Sequence, residues 1–343
     1  MARTYREAGV DVQEAKRAVE RIARAAATTA TPAALSTIGG FGGLFRFDPS
    51  THPDPILVSS TDNVGTKLKV AIALGRHETV GVDLVNQSVN DVAVTGADPL
   101  FFLDYLAVGQ LRAEVAETII AGVANACAAA GVVLIGGETA QLPDVLRDDD
   151  YDLAGFLVGV VARADLIDGS RVRAGDVLIG LPSSGLHTNG YTLARRVLPP
   201  EAWAEPMPDG GRTIGDALLE PHRSYLDEVR LLRRALRGRG SDIGALAHIT
   251  GGGWEGNIPR TLPPGLGVEV ETGSWPVPAI FTLIQQRGDI ADDEMVATFN
   301  VGIGMTVVVP AADADAALDA IGDACRIGRV VDVVEGEPRV RFT

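Results

Sequence analysis

Short apolar runs of strand length alternate with helical stretches along this chain of 343 residues. In the first half, PILVSS (55–60) and PLFFLDYLAVG (99–109) are predicted strands that flank a helical stretch at 79–97. The second half opens on another strand, DVLIGL (176–181), and continues in the same manner. Strands and helices that alternate in this way pack as layers, so we predict a mixed fold of the α/β or α+β class.

The polar, turn-rich stretch ADLIDGSRVRAGD (164–176) interrupts this alternation. The chain is also long enough for two domains. We therefore predict two mixed α/β domains, one spanning residues 1–168 and one spanning residues 169–343.

The charge balance limits the partners that the chain can bind. Acidic residues outnumber basic ones by 45 to 30, which gives a net charge of −15. Such a surface repels phosphodiester backbones, so we expect no nucleic-acid partner. A polyanionic substrate would need local compensation from metal ions, basic side chains or backbone N–H groups.

The cysteines and the N-terminus give no sign of export. Cys127 and Cys325 are the only cysteines, so neither a disulfide framework nor a zinc–cysteine site is expected. The amphipathic stretch at 1–23 lacks the apolar core of a secretory signal, and no apolar run suggests a membrane span. We expect a soluble cytoplasmic protein without a membrane partner.

The helical stretch at 79–97 has one apolar and one oxygen-rich face. Asparagine and aspartate are poor helix formers, whereas a solvated face usually carries lysine and glutamate. The pattern favours a site for a hard cation such as Mg²⁺ over a plain surface helix. The polar face comprises Asp83, Asn86, Gln87, Asn90 and Asp91.

Two kinds of turn carry further candidate groups. In SSTDNVGTKLKV (59–70), Asp62 and Lys67 either serve as turn residues or bracket a metal–phosphate site. The clusters IGGFGGLF (38–45) and LIGGETA (134–140) could hold phosphate through backbone N–H groups, although neither matches a Walker or dinucleotide pattern.

Two loops in the second half follow predicted strands. SSGLHTNGY (183–191) carries His187, and HITGGGWEGN (248–257) carries His248. Open α/β sheets bind ligands at such strand ends. The remaining histidines lack such surroundings and are predicted to be surface residues: His52, His77 and His222.

The motifs then resemble a known superfamily. DVAVTGADP (91–99) matches the D-x-x-x-x-G-A-x-P signature of ATP-binding enzymes that include selenophosphate synthetase, thiamine-monophosphate kinase and a hydrogenase maturation protein, and GGETA (136–140) is similar to their second signature. Further stretches resemble the aminoimidazole ribonucleotide synthetase family over almost the whole chain. Among them are TDNVGTKLKVA, SSGLHTNGYTLAR and AHITGGGWEGNIPR.

The chain departs from the family pattern at a few positions. Asn63 stands where glycine is frequent, and Gln141-Leu142 replaces the usual Glu-Met. Glu255 lies one position earlier than the acidic residue of the family motif, which puts a role for it in doubt.

The resemblance implies a fold and a reaction. Strands of the N-terminal domain would pair across a homodimer into a β-barrel, and the active site would be a cleft between the domains. The reaction would convert formylglycinamidine ribonucleotide and ATP into aminoimidazole ribonucleotide, ADP and phosphate in purine biosynthesis, through phosphorylation of the formyl oxygen.

The resemblance also implies residue roles. Asp62, Asp91 and Glu138 would bind Mg²⁺, and a monovalent cation such as K⁺ would be a further candidate. The predicted catalytic residues are Lys67, His187 and His248. The predicted nucleotide-binding residues are Gly40, Phe41, Gly42, Gly43, Asp62, Asn63, Lys67, Asn90, Asp91, Gly137, Glu138 and Thr139. The predicted substrate-binding residues are His187, Thr188, Asn189, Thr250, Gly251, Gly252 and Gly253.

Two alternatives stay open at this point. One is another phosphoryl-transfer enzyme of the superfamily, of the thiamine-monophosphate kinase type. The other is a nucleotide-binding scaffold without catalytic activity, which would not need polar groups that converge from several segments.

Overall fold

The computed structural model describes residues 4–5 and 11–343, so part of the predicted N-terminal stretch, residues 1–3 and 6–10, lies outside the described residues. The chain divides into two compact units. The first contains residues up to 92 together with 97–163, and the second contains 93–96 together with 164–343. The predicted domain boundary, after residue 168, lies a few residues beyond this division.

The first unit is built on a four-stranded sheet. Its strand order is β1-β4-β2-β3, in which β2 and β3 are parallel and the other pairs are antiparallel. Its elements are α1 (Val12–Ala27), β1 (Pro55–Asn63), α2 (Leu68–Leu74), α3 (Val80–Ala93), β2 (Asp98–Val108), α4 (Ala113–Ala130), β3 (Val133–Gln141) and β4 (Tyr151–Ala162).

Local sequence features explain where the helices of this unit begin, end and pack. The Asp11 carboxylate caps α1 by accepting backbone N–H bonds from Gln13 and Glu14. Helices α3 and α4 approach closely at Gly81, where an added Cβ atom would lie 2.3 Å from the Ile119 carbonyl oxygen. Gly131 ends α4 in a left-handed conformation.

The expectation that no apolar run suggests a membrane span is wrong for helix α4. It is long and apolar enough to cross a membrane by length and composition, and half of it is buried within the structure. Its buried side chains include Ile119, Ile120 and Val123, which are fully enclosed. These contacts are those of a core helix.

The second unit contains a six-stranded sheet of order β10-β7-β9-β5-β8-β6. One core surrounds Tyr225 and Leu232, and another surrounds Trp254 and Ile303. Its elements are β5 (Val177–Pro182), α5 (Tyr191–Val197), α6 (Ile214–Leu218), α7 (Leu226–Arg237), β6 (Ala245–His248), α8 (Gly253–Asn257), β7 (Leu266–Val270), α9 (Ala279–Gly288), α10 (Asp292–Thr298), β8 (Ile303–Val309), α11 (Ala314–Ala320), β9 (Cys325–Asp332) and β10 (Val340–Phe342). The predicted mixed fold is confirmed.

Candidate functional site

Two of the predicted metal ligands lie together in the first unit. Asp62 lies next to the end of β1, and Asp91 lies near the end of α3. The Ser60 hydroxyl donates to Asp62 Oδ2 at 3.1 Å and reaches Asp91 Oδ2 at 3.5 Å. Burial, followed by the charge of Asp91, raises the pKa of Asp62 to about 6. Two carboxylates that repel each other in this way suit a divalent cation between them.

The polar face of α3 is buried. Asp83 and Asn90 are fully enclosed, and Gln87 is nearly so. The alternative of a solvated surface face is therefore wrong for these three residues.

Lys67 lies in the core of the same unit. Its side chain is completely buried, and Nζ donates to Asp83 Oδ1 at 2.8 Å. The predicted contact with phosphate oxygens would require this ammonium to leave a buried ion pair, which is costly. The position of Lys67 therefore favours a role in holding Asp83 and α3.

Glu138 is not brought to the two aspartates within this chain. The register pairs Asp62 with Gly155, Gly155 with Asp104, and Asp104 with Gly137. Asp62 on β1 and the aligned Gly137 on β3, the neighbour of Glu138, are therefore three strand spacings apart, which is about 14 Å. The predicted cluster of three carboxylates is reduced to two in the first unit, because β1 and β3 are the opposite edges of the sheet.

The two glycine clusters of the first unit meet at one cavity. Residues 37–43 and 134–139 line a cavity of about 260 Å³ between α1 and the β2–β3 edge. Close packing requires glycine here, since a Cβ atom on Gly137 would lie 2.2 Å from Asp104 Oδ1, and one on Gly43 would lie 2.9 Å from Ile135. Phe41 is fully exposed beside the cavity.

Asp104 is a candidate that the sequence analysis missed. It lies on β2 at the same cavity and is only 6% exposed. Burial, with a smaller contribution from Glu138, raises its pKa to about 7. The available signal was a carboxylate inside the apolar run PLFFLDYLAVG, since buried acids are rare without a function or a partner.

Three histidines meet in the second unit. His222 Nε2 and His248 Nε2 are 3.0 Å apart, and the rings of His187 and His222 stack with centroids separated by 3.9 Å. All three are buried. The prediction that His222 is a surface residue is wrong, because α7 begins only at Leu226 and the segment before it folds inward.

The histidine cluster suits proton sharing better than metal binding. Ligand nitrogens of the three rings lie within 4.8 Å of one another. His187 and His222 stack face to face, however, and the Nε2 atoms of His222 and His248 lie at the distance of a direct hydrogen bond. The backbone N–H of Ser184 donates to His187 Nε2 at 3.3 Å, and Thr188 Oγ1 lies 3.4 Å from His222 Nδ1. These contacts form a hydrogen-bonded array.

The turn at 250–253 lies beside this array. An added Cβ on Gly251 would lie 3.5 Å from Asn189 Oδ1, so the two predicted substrate segments are adjacent. Asn257 Nδ2 donates to the Gly253 carbonyl at 2.7 Å and holds the turn. Glu255, whose role the sequence left in doubt, makes structural contacts. Its carboxylate accepts hydrogen bonds from the backbone N–H groups of Arg339 and Val340.

Comparison with known proteins defines the class of this fold. The family described as AIR synthase related protein, N-terminal domain, matches residues 42–161, and the corresponding C-terminal domain family matches residues 173–341. Solved structures support the fold. Hydrogenase maturation protein HypE from E. coli is 19% identical with a TM-score of 0.67, covering 97% of this chain and 94% of its own. Thiamine-monophosphate kinase from Stenotrophomonas maltophilia is 20% identical with a TM-score of 0.62, covering 95% of each chain.

Curated relatives are similar over their full length. The phosphoribosylformylglycinamidine cyclo-ligase of Desulfitobacterium hafniense is 48% identical, with coverage of 98% of this chain and 99% of its own. The enzyme of the same name from Sorangium cellulosum is 49% identical over 100% of both chains. The chain belongs to the phosphoribosylformylglycinamidine cyclo-ligase family, a family of C–N bond-forming ligases, and the resemblance in the sequence is confirmed.

Proposed function

We propose that this chain catalyses the ATP-dependent cyclisation of formylglycinamidine ribonucleotide to aminoimidazole ribonucleotide, with release of ADP and phosphate. The observation that carries this proposal is the identity of about half of all residues, over the full length, to curated enzymes with that activity in their name. The cytoplasm is the proposed location.

The reaction needs an activated amide. A carbonyl oxygen is a poor leaving group, and transfer of the γ-phosphoryl group of ATP to the formyl oxygen makes it a good one. The amine nitrogen of the same substrate then attacks the formyl carbon, closes the five-membered ring and expels phosphate. The protein chiefly positions the reactants and stabilises charge.

Asp62 and Asp91 are the proposed ligands for Mg²⁺. They fit because two carboxylate groups and the Ser60 hydroxyl converge, and because their mutual repulsion calls for a cation. When bound, Mg²⁺ would neutralise charge on the phosphate oxygens of ATP. Asn90 supports the position from within α3, and Glu138 is kept as a nucleotide-binding residue at the glycine cavity. A requirement for K⁺ remains a prediction.

His187, Asn189 and the 250–253 turn are the proposed substrate-binding groups of the second unit. The hydrogen-bonded array lets His248 exchange a proton with His222 when the ring closes. His248 is therefore the proposed proton-transfer residue, although a neutral attacking nitrogen would need little help.

A homodimer is proposed from the exposed face of the first sheet. Leu57 and Phe156 are 66% and 47% exposed on that face, and the half-buried Leu103 and Tyr105 lie across from Phe156 and Ala154. An apolar sheet face favours closure by a second copy, and so do the edge strands β1 and β3, whose outer sides pair with no other strand among residues 4–5 and 11–343.

A single assay tests the activity. The protein is incubated with ATP, Mg²⁺ and formylglycinamidine ribonucleotide, and aminoimidazole ribonucleotide is measured as product. ADP release with thiamine monophosphate but not with this substrate would support the kinase alternative. Nucleotide binding without turnover on either substrate would support the scaffold.

A further inference from the structure

Asn300 is a buried amide whose hydrogen bonds go largely to the loop that carries His187. It lies between α10 and β8 and is 4% exposed. Its Oδ1 atom accepts hydrogen bonds from the Ser183 hydroxyl and from the Gly302 N–H, both at 2.9 Å. Its Nδ2 atom donates to the Gly185 carbonyl at 2.9 Å. Both polar atoms of this side chain are therefore engaged, and two of the three bonds end on the loop.

The loop needs such support because its backbone is strained at His187. This residue has a φ of +61°, in the left-handed region that is costly for residues other than glycine. Such a conformation persists only when the surrounding structure enforces it. Asn300 fixes the backbone at Gly185, two residues before the histidine, from a segment 115 positions further along the chain. The strained conformation is therefore held by a tertiary contact.

The chain around Asn300 also fits the loop at and beyond His187. A Cβ atom on Gly304 would lie 2.4 Å from His187 Cε1, so β8 has room for the imidazole ring because glycine stands there. Phe299 packs against the far end of the loop, where a Cβ atom on Gly190 would lie 2.2 Å from the phenyl ring. One short segment therefore contacts the loop before, at and after the histidine.

We propose that Asn300 is a positioning residue for the cyclisation, because it holds the loop in the conformation that presents His187 to the ribonucleotide. The inference rests on the proposed function, in which His187 binds that substrate. The polar atoms of Asn300 bind the protein, so this residue acts through the loop. Loss of the amide would let the strained backbone relax and displace the imidazole ring. A displacement of about 1 Å can lower a rate by about 100-fold.

Cyclisation kinetics on the full chain test this role through a double-variant cycle. Asn300→Ala removes all three side-chain hydrogen bonds, and kcat/KM for formylglycinamidine ribonucleotide should fall about 10- to 100-fold. In a His187→Ala background, the same replacement should change kcat/KM by less than about threefold, because the side chain that Asn300 positions is already gone. A merely structural Asn300 would instead give the same loss in both backgrounds.

The matched control is Gln285→Ala, which removes the amide hydrogen bond from Gln285 on α9 to Asp292 in the same unit. It should leave kcat/KM unchanged. Equal losses from Asn300→Ala in both backgrounds, or an unchanged kcat/KM in the folded single variant, would overturn the assignment. If Asn300→Ala does not fold by circular dichroism, Asn300→Asp, which keeps the acceptor and loses the donor, is taken through the same cycle.

A readout that needs no turnover separates this inference from the proposed function. In protein labelled with carbon-13 histidine, Asn300→Ala should shift the Cε1 resonance of the His187 ring and leave that of His77, in the first unit, in place. An unshifted His187 resonance would overturn the inference. If the unmodified protein does not cyclise the substrate, the proposed activity fails, and a shifted His187 resonance then leaves the hold of Asn300 on the loop standing.

Discussion

At the residue scale, Asp91 is the most direct test of the paired carboxylates. Asp91→Asn keeps the shape of the side chain and removes the charge that would hold Mg²⁺. We expect kcat to fall at least about 100-fold, since even the outer groups around a metal cost roughly 10- to 100-fold when they are lost. Near-normal turnover in a folded variant would remove Asp91 from the ligand set.

The raised pKa of Asp62 predicts a pH dependence of stability. The folded state holds this proton up to about pH 6, whereas the unfolded chain releases it near the ordinary aspartate pKa of 3.8. The folded state therefore binds more protons across that window, and the contribution of Asp62 to stability decreases as the pH rises from about 4 to 6. Urea unfolding of the unmodified protein and of Asp62→Asn, both without Mg²⁺, measures how the free energy of unfolding changes with pH. An identical pH slope in both proteins would contradict it.

The buried pair of Lys67 and Asp83 predicts a large change in stability. Lys67→Met would leave the Asp83 carboxylate without its cation in the core, and we expect a loss of about 3–5 kcal/mol in the free energy of unfolding. The double variant Lys67→Met/Asp83→Leu should recover much of that loss. Denaturant unfolding measures both. A phosphate-binding Lys67 would instead give a folded variant of ordinary stability with weakened ATP binding.

At the scale of elements, Glu14 joins two helices. Helix α4 has no side-chain cap of its own at Arg112, and the Glu14 carboxylate on α1 accepts the Ala113 N–H at 2.8 Å. Glu14→Ala should therefore cost about 1 kcal/mol of stability, in line with the loss of a helix cap. Thermal unfolding measures the change. The exposed Glu20→Ala on the same helix should have almost no effect, and equal losses in both variants would exclude the capping role.

The strongly patterned elements were predictable from the sequence. Asp11 as the cap of α1, the amphipathic pattern of that helix and Gly131 at the end of α4 are local features that can be read directly from the sequence. Strand β7 was missed because LGVEV is short and polar at Glu269, and its stability comes from pairing with β9 far along the chain. Helix α2 was missed because LKVAIAL has no apolar–polar periodicity.

The candidate site was predictable only in part, for a similar reason. The residue types of Asp62 and Asp91 indicated a cation site, and the structure places them together. The separation of Glu138 depends on the strand order of the sheet, which no local pattern encodes. His222 was missed because its environment is made by two distant segments, those of His187 and His248.

At the scale of the whole molecule, the exposed sheet face predicts an interface between two copies. Leu57→Glu would place a charge on the β1 side of that face, where burial against a partner would be strongly unfavourable. We expect a dimer for the unmodified protein and a shift to monomer for the variant in analytical ultracentrifugation at micromolar concentration, with the circular dichroism spectrum preserved. Leu231→Glu is the matched control, since Leu231 is 43% exposed on α7 in the second unit. A monomeric unmodified protein, or a variant that remains dimeric, would show that this face is covered in some other way.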